Sequence, residues 1–189
     1  MDNREVVLRL IQKEAKHPFF IAIDGRCAAG KTTLAKKIQS SVECNVIHMD
    51  DFYLPFSERT EEKMAQPGGN MDFERLLFEV LLPLRSGVNA MYRPYDCHHD
   101  IFLPSEELNA AVPTIIEGSY SCHPKLQKNY DLRVFMDISP ECQKSRLNER
   151  DPASFERFQT IWIPREEHYF TACKVRNCCE LVIWGEKEG

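Results

Sequence analysis

The residues whose types and spacing most clearly suggest chemistry lie in the stretch GRCAAGKT, from Gly25 to Thr32. This stretch matches the phosphate-binding pattern G-x-x-x-x-G-K-[ST]. The glycines of such a loop let backbone N–H groups surround phosphate oxygens, and the following helix adds partial positive charge at its N-terminus. The lysine reaches the β- and γ-phosphates, and the hydroxyl is a ligand for Mg²⁺. We therefore expect the phosphates of ATP to be bound by Gly25, Arg26, Cys27, Ala28, Ala29, Gly30, Lys31, Thr32 and Thr33.

Three carboxylates directly follow or end short apolar runs: Asp50, Asp51 and Glu117. Ligands of open parallel sheets bind beyond the carboxyl ends of the strands, so we expect these acids to face the phosphate-binding loop. A carboxylate there can orient an acceptor hydroxyl or help hold Mg²⁺. The alternative for either aspartate is a helix N-cap or a solvated turn, and the sequence leaves open which of the two is the base. We predict Lys31 and Asp50 as catalytic residues, and Thr32, Asp50 and Glu117 as metal ligands.

The elements that must position these groups alternate between short apolar strands and longer helical patterns. Strands are predicted at Phe19–Asp24, Val46–His48, Thr114–Glu117, Leu132–Asp137 and Leu181–Trp184. Helices are predicted near the N-terminus and at Lys31–Ser41, Phe73–Arg85, Pro140–Arg150 and Phe155–Thr171, and Pro164 should kink or break the last of them. Apolar strands separated by helices are typical of a parallel sheet covered on both faces. The pattern predicts one α/β domain over residues 1–189, a P-loop NTPase three-layer α/β/α sandwich with a five-stranded parallel sheet.

Residues 86–112 interrupt this rhythm and are rich in Tyr, Pro and His. They predict a small inserted region that binds the substrate, the alternative being a loop that packs on the core. Farther along, Arg146 and Arg150 are four residues apart and share one side of a predicted helix, where they form either a lid over the phosphates or a solvated face.

Composition and charge exclude several classes of protein. The formal net charge of -5 argues against a protein that grips nucleic acid through its phosphates, and no apolar run is long enough to cross a bilayer. The first residues predict an amphipathic helix and not a signal peptide, so we expect a cytoplasmic protein whose eight cysteines are reduced. Cysteine–histidine pairs at Cys97–His99 and at Cys122 and His123 lack the paired C-x-x-C spacing of a zinc site.

With these motifs in place, the sequence resembles the uridine kinase family, whose wider relatives include phosphoribulokinase and bacterial pantothenate kinase. The resemblance covers about residues 19–184 and rests on the phosphate-binding loop and on the motifs DDFY, RPYD and IIEG. It implies that Asp50 is the general base for a nucleoside 5′-hydroxyl, that Glu117 helps bind Mg²⁺ and that Tyr95 packs against the nucleoside. It also implies a lid at about 146–158, with Arg146 and Arg150 over the ATP phosphates and Arg157 within reach. Substrate contacts are expected from Asp51, Tyr53, Arg93, Tyr95, His98 and His99.

The sequence also departs from that family. An Asp-His-Pro stretch usually precedes the helix that begins here near Asp72, whereas this chain has QPGGNMDF. The resemblance thus predicts an ATP-dependent kinase of a small acceptor, foremost uridine or cytidine, with no nucleic-acid or membrane partner. Alternatives are a kinase for pantothenate, a sugar phosphate or a nucleoside monophosphate, and a regulator that binds ATP without turnover. A dimer or tetramer would be in line with the family.

Overall fold

The computed structural model describes residues 3–14 and 18–185. Its centre is a parallel sheet of five strands, which are β1 (Phe20–Gly25), β2 (Asn45–His48), β7 (Thr114–Glu117), β8 (Leu132–Asp137) and β9 (Leu181–Trp184). Their order across the sheet is β2-β7-β1-β8-β9. All five predicted strands are therefore confirmed, with shifts of one residue at the ends of β1 and β2.

Helices cover both faces of this sheet. They are α1 (Asn3–Glu14), α2 (Lys31–Gln39), α3 (Glu61–Met64), α4 (residues 73–85), α5 (Pro140–Arg150) and α6 (residues 155–172). The even-numbered residues of the central strand, such as Phe20 and Ala22, pack with α4 and α6 in one core cluster. The odd-numbered Ile21 and Ile23 pack with α1 and α2 in the other cluster. This alternation is what a strand buried on both faces requires, and it gives the predicted three layers.

Two of the helices contain a wide turn. Helix α4 has π-helical hydrogen bonding at Leu76–Leu81, and α6 has it at Phe158–Trp162. Pro164 follows the second of these turns, and because proline has no N–H to donate, the regular ladder cannot run through it. The helix nevertheless continues to Ala172, so the predicted distortion is a local widening and the predicted break is wrong.

Residues 86–112 form an antiparallel ribbon of two short pairs. Strand β3 (Ala90–Tyr92) pairs with β6 (Glu106–Leu108), and β4 (Tyr95–Asp96) pairs with β5 (Ile101–Phe102). The base of the ribbon belongs to the core, because Tyr92 is 2% exposed and stacks on Phe52 at 5.4 Å between ring centroids. The ribbon is anchored to the sheet layer at its base, and its tip turns at residues 97–100.

The strand register brings the predicted site together. Glu117 lies opposite Ile23 of β1 and opposite His48 of β2, so the carboxyl ends of three strands meet at one edge. A short 3₁₀ turn, Met49–Phe52, follows β2 at this edge. Within the described residues, no helix is both long and apolar enough to cross a bilayer.

Candidate active site

The loop between β1 and α2 has the backbone shape that its glycines predict. Gly25 and Gly30 have φ angles of 131° and 94°, and a Cβ atom on Gly25 would lie 2.0 Å from the Met136 carbonyl oxygen. Only glycine fits there. Lys31 is 8% exposed, and its ammonium donates to the carbonyls of Gly25 at 2.7 Å and Arg26 at 2.9 Å. Its charge is thus held across the mouth of the loop.

Oxygen donors from two elements meet beside this loop. The Thr32 hydroxyl donates to Glu117 Oε1 at 3.0 Å, and His48 Nδ1 lies 2.5 Å from the same oxygen. This hydrogen bond raises the pKa of His48, against the opposing effect of burial. Hydroxyl and carboxylate oxygens are the ligands that Mg²⁺ prefers, so the donor set fits the predicted metal. The sequence analysis did not single out His48.

The two adjacent aspartates have different surroundings. Burial raises the pKa of Asp50, the negative charge of Glu117 raises it further, and the charges of Lys31 and His48 lower it. The Asp50 carboxylate therefore lies within electrostatic reach of Glu117, Lys31 and His48. Asp51, in contrast, accepts a hydrogen bond from the Tyr92 hydroxyl at 3.0 Å. Its carboxylate therefore ties the ribbon to the 3₁₀ turn, and contact of Asp51 with the substrate stays a prediction.

The two predicted lid arginines both contact the phosphate-binding loop. Arg146 Nη1 donates to the Ala28 carbonyl at 3.2 Å, and Arg150 Nη2 lies 3.6 Å from Cys27 Sγ. Their shared helix face is thus turned to the loop. Burial raises the pKa of the Cys27 thiol, and the nearby carboxylate of Glu166 raises it further, so this cysteine is not an activated thiolate.

Glu166 is a loop contact that the sequence analysis missed. It lies on α6, is 4% exposed, and accepts from the Cys27 amide at 3.0 and 3.1 Å. It also accepts from the Ser119 hydroxyl at 2.5 Å. Helix α6 is therefore fastened to the phosphate-binding loop, which no spacing within the sequence could show.

Asp24, at the end of β1, is a second group that sequence reasoning overlooked. It is fully buried and accepts from the amides of Gly25, Tyr120 and Cys122 and from the Tyr169 hydroxyl. Burial raises its pKa to about 6 in spite of these bonds. The carboxylate therefore supports the backbone at the start of the phosphate-binding loop and in the loop after β7.

This raised pKa predicts a pH dependence of stability. Between the unfolded value of 3.8 and the folded value of about 6, the native state holds the Asp24 proton more tightly than the unfolded state does. The Asp24 contribution to the free energy of unfolding therefore falls as pH rises through this window, by up to about 3 kcal/mol. We expect Asp24→Asn to lack this fall when urea unfolding is measured across the window.

Asp151→Asn is the control for that experiment. A hydrogen bond from Ser154 lowers the pKa of Asp151, so its contribution to stability is lost as pH falls. Asp151→Asn should therefore remove a part of the free energy of unfolding that rises with pH, the opposite of the effect expected for Asp24→Asn. Parallel profiles for wild type and Asp24→Asn would contradict the assignment.

A cavity of about 370 Å³ opens beside the loop that follows β7. Its walls come from the segment around α3, from the loop after β7 and from α6, and they comprise Met64, Gln66, Gly68, Asn70, Tyr120, Thr160, Ile161, Pro164, Arg165 and His168. The segment after Asp50 reaches this cavity, because Tyr53 pairs with Met71 and the Leu54 amide donates to the Asn70 carbonyl at 2.9 Å. The Tyr53 ring also lies 6.5 Å from Trp162 of α6.

The predicted substrate residues of the ribbon do not line this cavity. The Tyr95 hydroxyl donates to Asp100, and Arg93 donates to the carbonyls of Phe102 and Leu103. His98 and His99 are exposed at the tip, where the backbone amides of both donate to Asp96. The side chains of Tyr95 and Arg93 and the amides of both histidines hold the ribbon together, and contact of these residues with an acceptor stays a prediction. Three residues of the cavity, Gln66, Gly68 and Asn70, lie in the stretch QPGGN, where the sequence departs from the uridine kinase family.

The comparisons with known proteins agree with this fold. A family model described as Phosphoribulokinase / Uridine kinase family matches residues 20–157. The chain belongs to this family. Uridine-cytidine kinase B of Dictyostelium discoideum is 30% identical over 150 residues, which cover 74% of this chain and 60% of that protein. Human nicotinamide riboside kinase 1 is 30% identical over 132 residues, which cover 68% of this chain and 63% of that protein.

Solved structures of family members confirm the fold. A possible uridine kinase from Bacillus stearothermophilus gives a TM-score of 0.72 at 17% identity and covers 95% of this chain and 96% of that one. Phosphoribulokinase from Rhodobacter spheroides gives a TM-score of 0.58 at 14% identity, over 89% of this chain and 70% of that one. The fold of this chain is thus the P-loop α/β/α architecture of these structures. The chain spans less than two thirds of the length of the two curated relatives named above.

Proposed function

We propose that this protein is an ATP-dependent phosphotransferase that moves the γ-phosphoryl group of ATP to a hydroxyl of a small acceptor. The observation that carries the proposal is the convergence of Lys31, Thr32, Asp50 and Glu117 at the carboxyl ends of β1, β2 and β7, with Thr32 bonded to Glu117 at 3.0 Å. Phosphoryl transfer needs little covalent chemistry from a protein, because positioning and charge stabilisation supply most of the rate. This set of side chains can provide both.

Each group has a distinct task in the proposed reaction. Lys31 and the loop amides hold the phosphates, and Arg146 and Arg150 offer further positive charge from α5. Asp50 orients the acceptor hydroxyl and accepts its proton late in the transfer, since a carboxylate is too weak a base to deprotonate an alcohol beforehand. Mg²⁺, held through Thr32 and Glu117 with Asp50 nearby, would neutralise charge on the phosphates.

A nucleoside 5′-hydroxyl, as in uridine or cytidine, is the first candidate acceptor. The support comes from the names of the relatives, which include uridine-cytidine kinase B and nicotinamide riboside kinase 1. The motif DDFY, which contains Asp50, matches the uridine kinase family closely, and IIEG, which contains Glu117, matches it well. Residues 146–158 act as the lid in this proposal. Residues 86–112 are the substrate-binding insertion in this proposal, and the bond from Tyr92 to Asp51 joins them to the turn that contains Asp50.

The proposal is tested by measuring ADP formed from ATP and Mg²⁺ with and without single acceptors. We expect ADP to appear only with an acceptor, with a turnover on the order of 1–10³ s⁻¹ for the right one. The panel includes uridine, cytidine and nicotinamide riboside, and a prior thermal-shift screen selects further compounds. Tight binding of ATP with no acceptor-dependent turnover would instead identify a regulator.

A further inference from the structure

The cavity beside Asp50 is placed to receive the part of the acceptor that does not react. Two tyrosines join the cavity to the acidic edge of the sheet: Tyr53, three residues after Asp50, pairs with Met71 beside Asn70, and Tyr120, three residues after Glu117, lines the cavity. The negative charge of Asp50 raises the pKa of Tyr120, and the positive charge of Arg165 lowers it. A molecule that fills the cavity can therefore present a hydroxyl to Asp50 while its opposite end reaches α6.

The charged lining of this cavity is one-sided. Arg165 and His168 lie on successive turns of α6 and both face the cavity, whereas its lining contains no aspartate or glutamate. Arg165 is half-buried, and its guanidinium lies 5.7 Å from the Trp162 ring. Among the residues that the structure describes, no carboxylate lies within 4.0 Å of its nitrogens.

Several other arginines pair with carboxylates, whereas the partly buried Arg59, like Arg165, forms no ion pair within the described residues. Arg26 pairs with Asp137 at 2.8 Å, Arg85 with Asp131 at 2.9 Å, and Arg133 with Glu180. A partly desolvated guanidinium without a counter-ion is unfavourable, so the unpaired state of Arg165 indicates that its partner comes from outside the chain.

Asn70 adds an independent sign of an external ligand. Its side chain is 4% exposed, lines the cavity from the side opposite α6, and its amide nitrogen is buried without a hydrogen-bond partner. Buried polar groups are nearly always satisfied, and an exception calls for a missing ligand or water. Gln66 lies on the same wall and offers a second amide.

We propose, resting on the kinase function above, that the acceptor carries an anionic group, a carboxylate or a phosphate, which Arg165 binds in this cavity while the acceptor hydroxyl faces Asp50. In the reaction, the hydroxyl oxygen forms a bond to the γ-phosphorus of ATP, the bond from that phosphorus to the β-bridging oxygen breaks, ADP leaves and the hydroxyl proton passes to Asp50. A neutral nucleoside, which the names of the relatives put first, would leave Arg165 without a counter-ion and would find no carboxylate in the cavity to accept from its ribose hydroxyls, so the cavity favours an acidic acceptor over it.

The kinetic test compares neutral and acidic acceptors in one ADP-release assay. The neutral arm contains uridine, cytidine, glycerol and fructose; the carboxylate arm contains glycerate and pantothenate; the phosphate arm contains ribulose 5-phosphate and uridine monophosphate. We expect kcat/KM to be highest in one of the acidic arms, and which arm wins identifies the anion. Arg165→Gln should raise the KM of that acceptor by about 10–100-fold, the loss of one hydrogen bond to a charged group, and leave the KM of ATP unchanged.

Lys128→Gln is the matched control, because it removes one exposed positive charge away from the cavity and should leave both KM values unchanged. A raised KM for ATP in Arg165→Gln would mean that this arginine serves the phosphates of ATP and would overturn the proposal. Preference for neutral acceptors, with Arg165→Gln behaving like Lys128→Gln, would also overturn it while leaving the kinase function intact.

A binding experiment makes the outcome independent of the acceptor panel. Crystals of the complex with Mg²⁺ and ADP are soaked in selenate, whose anomalous signal locates a tetrahedral anion. We expect a peak beside Arg165 in the wild type and none in Arg165→Gln. If the wild type shows no peak in the cavity, the anion site is refuted. This result does not depend on the kinase assay, so it can be told apart from a failure of the proposed function.

Discussion

Asp50→Asn is expected to lower kcat by about 10²–10⁴-fold while the affinity for ATP stays close to that of the wild type. Asparagine keeps the size of the side chain but cannot accept the proton of the acceptor hydroxyl. The Asp50 carboxylate lies near Glu117, Lys31 and His48, so its loss affects the reacting centre and not the fold. Steady-state kinetics and calorimetric titration with ATP measure the two effects separately.

The neighbouring Asp51→Asn provides a control for this experiment. It removes a carboxylate one residue away that is bonded to the Tyr92 hydroxyl. We expect it to change the thermal stability more than kcat. If Asp50→Asn kept the turnover of the wild type, or if Asp51→Asn caused the larger loss of kcat, the assignment of the base would be wrong.

Lys31→Ala is expected to reduce both ATP binding and turnover, with a loss of about 10²–10³-fold in kcat and a raised Kd for ATP. The ammonium is held over the loop by the carbonyls of Gly25 and Arg26, where it can meet the phosphates in both the ground state and the transition state. Lys36→Ala on the exposed side of α2 removes an equal charge and should change neither quantity. An unaltered Kd for ATP in Lys31→Ala would show that the triphosphate binds elsewhere.

The fold was predictable because its signals are local. Each strand of the sheet is a short apolar run, and the loop from Gly25 to Thr32 needs glycine for backbone reasons that the sequence displays directly. The position of Glu117 opposite the loop followed from the rule that parallel strands end at one edge. These features depend on residue type and on neighbours along the chain.

The parts of the site that escaped prediction depend on long-range contacts. Glu166 meets the amide of Cys27 across 139 residues of sequence, and Asp24 meets Tyr169 across 145. The cavity joins Asn70 to Arg165, which no pattern connects. Residue type also could not show how the ribbon closes its own turn, where Asp96 accepts from the His98 amide and Asp100 accepts from the Tyr95 hydroxyl.

The central claim is that the carboxylate of Asp50 serves a hydroxyl that receives the γ-phosphoryl group. The most direct measurement follows the label from γ-phosphate-labelled ATP into a small molecule, with wild type and Asp50→Asn at equal, saturating ATP. We predict labelled acceptor in stoichiometric amounts with ADP for the wild type and a loss of both, in parallel, for the variant. ADP that forms without any labelled acceptor, or label transfer that persists in Asp50→Asn at the rate of the wild type, would contradict the account.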